Sequence, residues 1–222
     1  MDQHGAGEPG ASGERHRVAF AYRMDGDIRF ISHRDTLRLF QRALARAQLP
    51  VRFSGGFNPQ PRVMIPLPRS VGVASDAEFV VVEFTRDTQP DAARRRLQAQ
   101  MPAGIALHAA RRLAGGERLE PDMVTYHLEL DGPPRDEVRG RVRTVLESDV
   151  LNVDRTDPKS RRVRTINVRP YIADMRVDDD GVVFVLHVTD RGTARPAEIA
   201  QLLGCDPDSI NHRIRRMEVR WR

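Results

Sequence analysis

RFISHRDTLRLFQRALARAQLPVRFSGGFNPQPR, residues 29–62, is the stretch that decides how the first half of this chain folds. It contains SHRD, a capping-box pattern in which the Ser32 hydroxyl is expected to accept from the backbone N–H of Asp35 and the aspartate to reach back. Apolar residues then recur at helical spacing, at Leu37, Phe40, Leu44 and Ala47. The stretch therefore predicts an amphipathic helix over residues 33–48.

Arginines are concentrated in the same region. Between residues 34 and 69 there are seven arginines and one acid, Asp35, so this segment is +6 whereas the whole chain is +5. Four of them recur every four residues along the predicted helix and form a ridge: Arg34, Arg38, Arg42 and Arg46. A solvated helix face has the same pattern, but a basic charge this local also suggests a polyanionic partner.

A loop rich in glycine and proline follows the helix, over residues 54–61. Gly55 and Gly56 permit positive φ or close backbone approach, whereas Asn58 precedes a proline that restricts the chain. Two strand-like runs flank the loop, and a constrained loop in that position is often functional.

Two readings of this loop remain open. Its backbone N–H groups can form an anion-binding concavity flanked by Arg52 and Arg62. Alternatively, the loop is a long hairpin connection whose Phe57 side chain is inserted into the core. The first reading adds five residues to Arg34 and Arg38 as candidate binding residues: Arg52, Gly55, Gly56, Asn58 and Arg62.

His33 is the candidate catalytic residue. It stands at the predicted N-terminus of the helix, where the helix dipole and the unpaired backbone donors favour an anion. Its imidazole can act as a general base on a ribose hydroxyl, bind phosphate, or make a structural hydrogen bond within the first turn.

A second basic run lies at residues 159–164. Arg161 and Arg162 either belong to a solvated loop or contact the same polyanion as the ridge. Arg169, in the strand end that follows, is included among the candidate binding residues.

Several kinds of site lack their sequence pattern. The histidines show no HxH, HxxxH or HExxH spacing, and there is no Walker loop, GxGxxG or GxSxG. The single cysteine, Cys205, excludes an intrachain disulfide and cannot hold an iron–sulfur cluster, so we expect it to be a structural thiol. We therefore expect no metal and no cofactor.

The chain is expected to form two small domains, because 222 residues with 40% hydrophobic content can bury more than one core. Residues 1–15 suggest a disordered tail, 16–113 a first domain, 114–123 a linker and 124–222 a second domain. No run of about 18 apolar residues exists, so we expect a cytoplasmic protein with no membrane contact.

Each half shows the element order β-α-β-β-α-β, apart from a small N-terminal hairpin. The predicted strands cover 17–24, 28–31, 51–54, 62–67, 78–85 and 105–113, then 124–130, 150–155, 162–168, 182–188 and 216–221. The predicted helices cover 33–48, 90–100, 134–148 and 196–203. We therefore expect an α+β protein of two tandem ferredoxin-like units, with antiparallel sheets and helices on one face.

The sequence resembles a family of radical-SAM-linked proteins of unknown function. The matching motifs are RFISHRD at residues 29–35, RAL at 42–44, SGGFNPQPR at 54–62, SDAEF at 75–79, NVRPYI at 167–172 and TARP at 193–196. Asn167 stands where the family pattern has aspartate, which puts an acid/base role at that position in doubt. Members of the family are fused to, or encoded beside, cobalamin-binding radical SAM proteins.

The resemblance implies a radical SAM protein as a partner in trans and, more loosely, a role in RNA modification or processing. We weigh three functions. The first is an accessory module that docks structured RNA, tRNA or rRNA, for that partner. The second is a metal-independent RNA-processing or RNA-modifying enzyme that uses His33. The third is a protein–protein adaptor for the radical SAM partner.

Overall fold

The computed structural model of the chain describes residues 15–131, 136–156 and 160–222. This part of the chain is α+β, with a large and mostly antiparallel sheet, a separate two-stranded hairpin and four α-helices. The strands are β1 (His16–Met24), β2 (Val63–Met64), β3 (Ala74–Phe84), β4 (Ile105–Leu113), β5 (Pro121–Glu129), β6 (Asn152–Thr156), β7 (Val163–Asn167), β8 (Ile172–Val177), β9 (Gly181–His187) and β10 (Ile214–Trp221). The helices are α1 (His33–Arg46), α2 (Pro90–Gln98), α3 (Asp136–Glu147) and α4 (Pro196–Leu202).

The first half places its strands in the order β4-β1-β3, with β2 pairing on the far side of β3. All of these pairings are antiparallel. Helices α1 and α2 both bury apolar residues in the same hydrophobic cluster, which also includes Phe20 of β1 and Val82 of β3. The two helices predicted for this half, at 33–48 and 90–100, are confirmed as α1 and α2. The strands predicted at 17–24, 78–85 and 105–113 are confirmed within a few residues as β1, β3 and β4.

The second half places its strands in the order β10-β5-β9-β8. Helices α3 and α4 contribute to a second hydrophobic cluster with Leu128 of β5 and Phe184 of β9. The predicted strands at 150–155 and 162–168 form β6 and β7, which pair only with each other. Residues 172–177, which form β8 in the large sheet, were not predicted as a strand.

The physical reason for this difference is visible in the burial pattern. Among the described residues of the β6–β7 hairpin only Val153 is fully buried, and Val163 is 61% exposed. These two strands therefore have too little apolar surface for the interior of the large sheet. In β8, Ile172 and Met175 are buried in the second cluster, and these side chains hold the strand against β9.

A short parallel pairing between β3 and β10 joins the two halves into one continuous sheet. It consists of Arg215 opposite Ala74 and Arg216 opposite Ser75. Arg215 strengthens the junction from β10, because its guanidinium donates to Asp76 at 3.1 Å and to Asp25 at 2.6 Å.

Two predicted strands of the first half are wrong. Residues 28–30 belong to a 3-10 turn, Gly26–Phe30, which Ile31 ends and which begins where the Asp25 side chain accepts from the backbone N–H of Gly26. Gly26 has φ +64°, a conformation that glycine adopts at little cost and that ends the extended chain. Residues 51–54 form isolated bridges, Val51 with Phe84 and Phe53 with Pro61, rather than a full strand.

The remaining expectations concern the ends of elements and the tail. The predicted tail, residues 1–15, lies outside the described residues except for its last position. Strand β5 begins at Pro121, within the stretch predicted as a linker. Within the described ranges, no helix combines the length and the apolar character needed to cross a bilayer.

Candidate functional site

Helix α1 begins as the sequence predicts. The Ser32 hydroxyl accepts from the backbone N–H of Asp35 at 3.1 Å and in turn donates to the Asp35 carboxylate at 2.6 Å. A capping box predicts that the Asp35 carboxylate accepts from the backbone N–H of Ser32. Here the carboxylate accepts from the Ser32 hydroxyl instead. This contact lowers the pKa of Asp35.

The arginine ridge of α1 borders a surface groove, which we call the arginine groove. Arg38, Arg42 and Arg46 line it together with residues 99–102, which follow α2, and its cavity volume is about 560 Å³. Apolar side chains supply much of the remaining surface: Ile28, Ile31, Leu39, Met101 and Pro102. The groove thus combines three cationic side chains and one carboxylate, that of Asp35, with an apolar surface.

The charges of the ridge differ in how far they are neutralised. Arg38 lies 3.4 Å from Asp35, with both side chains more than half exposed. Arg46 donates to the backbone carbonyl of Gln100 at 2.7 Å and so connects α1 to the end of α2. Arg34 is exposed and acts on the neighbouring Asp35 carboxylate only through its charge, whereas Arg42 is exposed and has no acidic partner among the residues that the structure describes.

The loop at residues 54–61 forms the end of a hairpin. The backbone N–H of Ser54 donates to the Gln60 carbonyl at 2.8 Å, and the Ser54 hydroxyl accepts from the Gln60 N–H at 2.9 Å. Gly56 has φ +103°, which requires glycine. Gly55 faces open space, and the Asn58 side chain accepts from the Gln60 amide at 3.5 Å.

The exposure of Phe57 excludes the interpretation in which its side chain is inserted into the core. Its side chain is fully exposed at the hairpin end, so it is not inserted into the core. Phe53 is 55% exposed in the same hairpin. Arg62 is exposed, whereas Arg52 lies 3.2 Å from Glu83 and is neutralised by it. The predicted anion-binding concavity stays a prediction.

The basic residues of the second half occupy two different settings. Arg161, with φ +58°, and Arg162 are exposed beside the β7 strand. The guanidinium of Arg169 instead donates to three backbone carbonyls at distances of 2.9 to 3.1 Å: those of Ser148, Ile172 and Leu146. Two of these carbonyls lie at the C-terminal end of α3, so Arg169 acts as a cap for that helix.

Asn167 and Cys205 also have structural roles. The Asn167 side-chain oxygen accepts from the backbone N–H groups of Leu151 at 2.9 Å and Arg169 at 3.1 Å. An amide oxygen makes these bonds as well as a carboxylate does, so the position needs no acid. Burial raises the pKa of the Cys205 thiol, which agrees with a structural thiol.

A second and smaller site lies at the N-terminus of α1, and we call it the His33 cleft. Its walls come from β1, α1, the 65–69 segment and β3: Tyr22, His33, Thr36, Ile65, Arg69 and Glu78. Its volume is about 10 Å³, which is the space of one water-sized group. Among the described residues, neither His33 nor Tyr22 has a hydrogen-bond partner for its side chain.

Glu78, which lines this cleft, belongs to a buried ion pair. Glu78 and Arg216 are each only 3% exposed and lie 2.7 Å apart. Arg216 also donates to the Pro68 carbonyl at 3.0 Å and to the Tyr126 hydroxyl at 3.3 Å. Although burial opposes it, the Glu78 carboxylate keeps the pKa of Arg216 above its ordinary value.

Strand register explains why these residues meet. Tyr22 is opposite Glu78 in the β1–β3 pairing, and Arg216 is opposite Tyr126 in the β10–β5 pairing. The β3–β10 pairing, in which Arg216 is opposite Ser75, brings the two pairs together across the junction between the two halves. Sequence reasoning missed Tyr22, Glu78 and Arg216, because no local spacing shows which strands become neighbours.

One group of side chains has the composition of a cation site. The His127 Nε2 atom lies 3.4 Å from Asp178 and 3.2 Å from Asp180, at the turn between β8 and β9. Acidic groups of this kind are common at protein surfaces without an ion, so we assign no metal to this group.

Comparison with known proteins gives a family and no activity. No curated protein matches the chain. A solved structure that it matches, described as the crystal structure of an unknown protein from Galdieria sulphuraria, is 14% identical with a TM-score of 0.25. The match covers 86% of this chain and 88% of that one, and at this TM-score it carries no argument. The model of a family described as "Uncharacterized protein conserved in bacteria (DUF2344)" matches residues 17–196, and the chain belongs to that family.

Proposed function

We propose that this chain is an accessory module that docks structured RNA, tRNA or rRNA, for a radical SAM enzyme. The arginine groove is the observation that carries the proposal. Three arginines along one side of a cavity of about 560 Å³ face an apolar surface. Guanidinium groups bind phosphates bidentately and stack on bases, and an apolar surface suits an unstacked base.

The hairpin end supplies a second contact in this proposal. Phe57 offers an exposed ring on which an unpaired base can stack, and Arg62, two residues after Gln60 in the chain, supplies an exposed charge. Stacking on an aromatic ring tolerates any base, so contacts of this kind favour RNA shape over sequence.

The architecture that we propose for this module is a pair of ferredoxin-like units. The observed strand orders β4-β1-β3-β2 and β10-β5-β9-β8, each with two helices in one hydrophobic cluster, support this reading. In the second unit the β6–β7 hairpin is an insertion.

The radical SAM partner rests on the sequence resemblance. Cys205 is the only cysteine in the 222 residues, and one thiolate cannot hold an iron–sulfur cluster. The radical chemistry in this proposal therefore takes place on another domain or chain, and this module contributes RNA binding.

The test is a titration of bulk tRNA with the wild-type protein, followed by fluorescence anisotropy at low and moderate salt. Because each neutralised phosphate releases counterions, log K is expected to fall linearly with log salt. The double variant Arg38→Ala/Arg42→Ala should weaken binding and reduce the salt slope by about 1 to 2.

The matched control is Arg139→Ala, which removes an exposed arginine from α3. It should leave both the affinity and the slope unchanged. If both variants weaken binding equally, tRNA binds elsewhere and the groove is not the RNA site. If tRNA fails to bind at low salt, RNA docking is wrong and the protein–protein adaptor is the surviving function, tested by capture of the radical SAM protein.

A second candidate function is an RNA-processing enzyme that uses His33. Its support is that Tyr22 and Arg69 share a cleft with His33, because phosphodiester chemistry needs more than one polar group. His33→Ala should then keep RNA binding and lose turnover by about two to four orders of magnitude. Absence of any RNA product from the wild type contradicts this candidate.

A further inference from the structure

We propose that the His33 cleft is a phosphate-binding site that receives one phosphoryl oxygen, with Tyr22, His33 and Arg69 as its recognition residues. The inference deepens the proposed function, on which it rests for RNA as the source of the phosphate. It locates a specific phosphate contact outside the arginine groove.

The Tyr22 hydroxyl is the first observation. Tyr22 is 2% exposed, and its side chain lines the cleft. Its hydroxyl makes no hydrogen bond to another described residue. The hydroxyl is not fully enclosed, so it reaches the open space of the cleft, where an entering oxyanion can accept its hydrogen bond. Burial and then the nearby Glu78 carboxylate raise the pKa of Tyr22, which keeps the hydroxyl protonated and able to donate.

The Arg69 guanidinium is the second observation. Its Nη1 atom donates to the carbonyls of Arg29 at 2.8 Å and Ser70 at 2.9 Å, which fixes the side chain in place. Its Nε and Nη2 atoms have no hydrogen-bond partner among the described residues. One side of a rigid guanidinium therefore remains able to donate to an oxyanion.

The start of α1 adds backbone donors beside these side chains. The Ser32 hydroxyl accepts a hydrogen bond from the backbone N–H of Asp35, and the Ser32 carbonyl accepts one from the backbone N–H of Thr36. The N–H groups of His33 and Arg34 precede these capped positions, where a helix of 14 residues presents unpaired donors to an anion.

The net charge of the cleft favours an anion. Arg69 is cationic, and the Glu78 carboxylate that lines the cleft is paired with the buried Arg216, so these three groups sum to +1 with Tyr22 neutral. The Glu78 carboxylate is held 2.7 Å from Arg216, which neutralises the one acid that faces the cleft.

Size decides which part of the ligand enters. A volume of about 10 Å³ holds one oxygen atom and excludes a base or a ribose. The phosphorus and its other substituents must remain at the mouth, beside the half-buried imidazole of His33.

The binding test uses inorganic phosphate and dimethyl phosphate, followed by the NMR signals of the histidine rings. We expect the His33 ring signal, assigned with His33→Gln, to shift saturably with either ligand. Tyr22→Phe retains the packed ring and loses only the hydroxyl, so it should weaken binding about tenfold or more, the scale of one hydrogen bond to a charged group.

Tyr171→Phe is the matched control, because the Tyr171 hydroxyl contacts the Arg191 carbonyl and does not line the cleft. It should leave phosphate binding unchanged. Arg69→Lys keeps the charge without the planar fork and should also weaken binding, provided that its thermal unfolding midpoint shows a folded protein.

The outcomes separate this inference from the proposed function. If neither phosphate shifts the His33 signal while tRNA still binds through the arginine groove, the cleft proposal is wrong and RNA docking stands. If phosphate binds and tRNA does not, the cleft is a site for a free phosphate or a nucleotide, and RNA docking is wrong. Equal binding by wild type and Tyr22→Phe also overturns the cleft proposal.

Discussion

Arg38 and Arg216 carry the same guanidinium in opposite surroundings. Arg38 is exposed on α1 and meets only an exposed carboxylate, that of Asp35, at 3.4 Å. Arg216 is 3% exposed and lies between the two hydrophobic clusters, where it binds Glu78 and Tyr126. The arginine groove thus exposes guanidinium groups to solvent, whereas at the junction the buried guanidinium of Arg216 is paired with the Glu78 carboxylate. The following predictions test this comparison.

The largest expected effect is at the junction. Glu78→Ala leaves the buried Arg216 guanidinium without its carboxylate, and removal of one partner from a buried ion pair costs about 3–5 kcal/mol. The free energy of unfolding, measured by urea denaturation at neutral pH, should fall by this amount. A loss below about 1 kcal/mol means that water reaches Arg216 and that the junction is not a closed interior.

The control for this prediction removes both charges at once. Glu78→Leu/Arg216→Met replaces the pair by apolar side chains of similar volume, and such replacements are often neutral or stabilising. The double variant should therefore be more stable than Glu78→Ala. If both variants lose the same stability, the cost comes from packing and not from the unpaired charge.

A smaller effect is expected from Arg169→Ala. The substitution removes donors from the carbonyls of Leu146 and Ser148 at the end of α3, and we expect a loss of about 1–3 kcal/mol in the free energy of unfolding. Arg164→Ala, an exposed position on β7, is the control and should change little. Weaker tRNA binding by Arg169→Ala without any loss of stability would instead make Arg169 a binding residue.

The α1 helix could be predicted from sequence because its information is local. The capping residues and the apolar stripe lie within one helix length, and Phe40 and Leu44 are buried as the pattern predicts. The β8 strand could not be predicted, because its assignment depends on a partner, β9, that supplies the hydrogen bonds and the apolar surface.

The same reasoning applies to the candidate sites. Arg38, Arg42 and His33 share a helix, so their relation was visible in the sequence. The arginine groove also needs residues 99–102, and the His33 cleft needs Tyr22 and Glu78 from other strands. The sequence showed seven arginines between residues 34 and 69 but not which of them are neutralised, as Arg52 is by Glu83.

The junction also has an acid-sensitive contact at its edge. The hydrogen bond from Arg215 lowers the pKa of Asp25 below its ordinary value of 3.8. A lowered carboxyl pKa contributes stability that is present above the unfolded pKa and is lost as pH falls through the folded pKa. Asp25→Asn should therefore flatten the decline of stability below about pH 4, as measured by urea midpoints between pH 3 and 6.

Asp27→Asn is the comparison variant, since Asp27 is an exposed residue of the same 3-10 turn without a described partner. It should leave the shape of the acid limb unchanged. Identical acid limbs for wild type and Asp25→Asn mean that the Asp25–Arg215 contact does not persist in solution.

The smallest effect on stability is expected at the arginine groove itself. Arg42 is exposed and has no acidic partner among the described residues, so Arg42→Ala should change the free energy of unfolding by at most about 0.5 kcal/mol. Arg38→Ala removes an exposed ion pair, which contributes about 0.2–1 kcal/mol and loses strength with added salt. Urea denaturation at two salt concentrations measures both. If Arg42→Ala costs more than about 1 kcal/mol, the arginine is part of the folded framework, and the contrast with Arg216 fails. If Arg42→Ala leaves the free energy of unfolding unchanged and lowers the affinity for tRNA, the charge of Arg42 contributes to binding and not to stability.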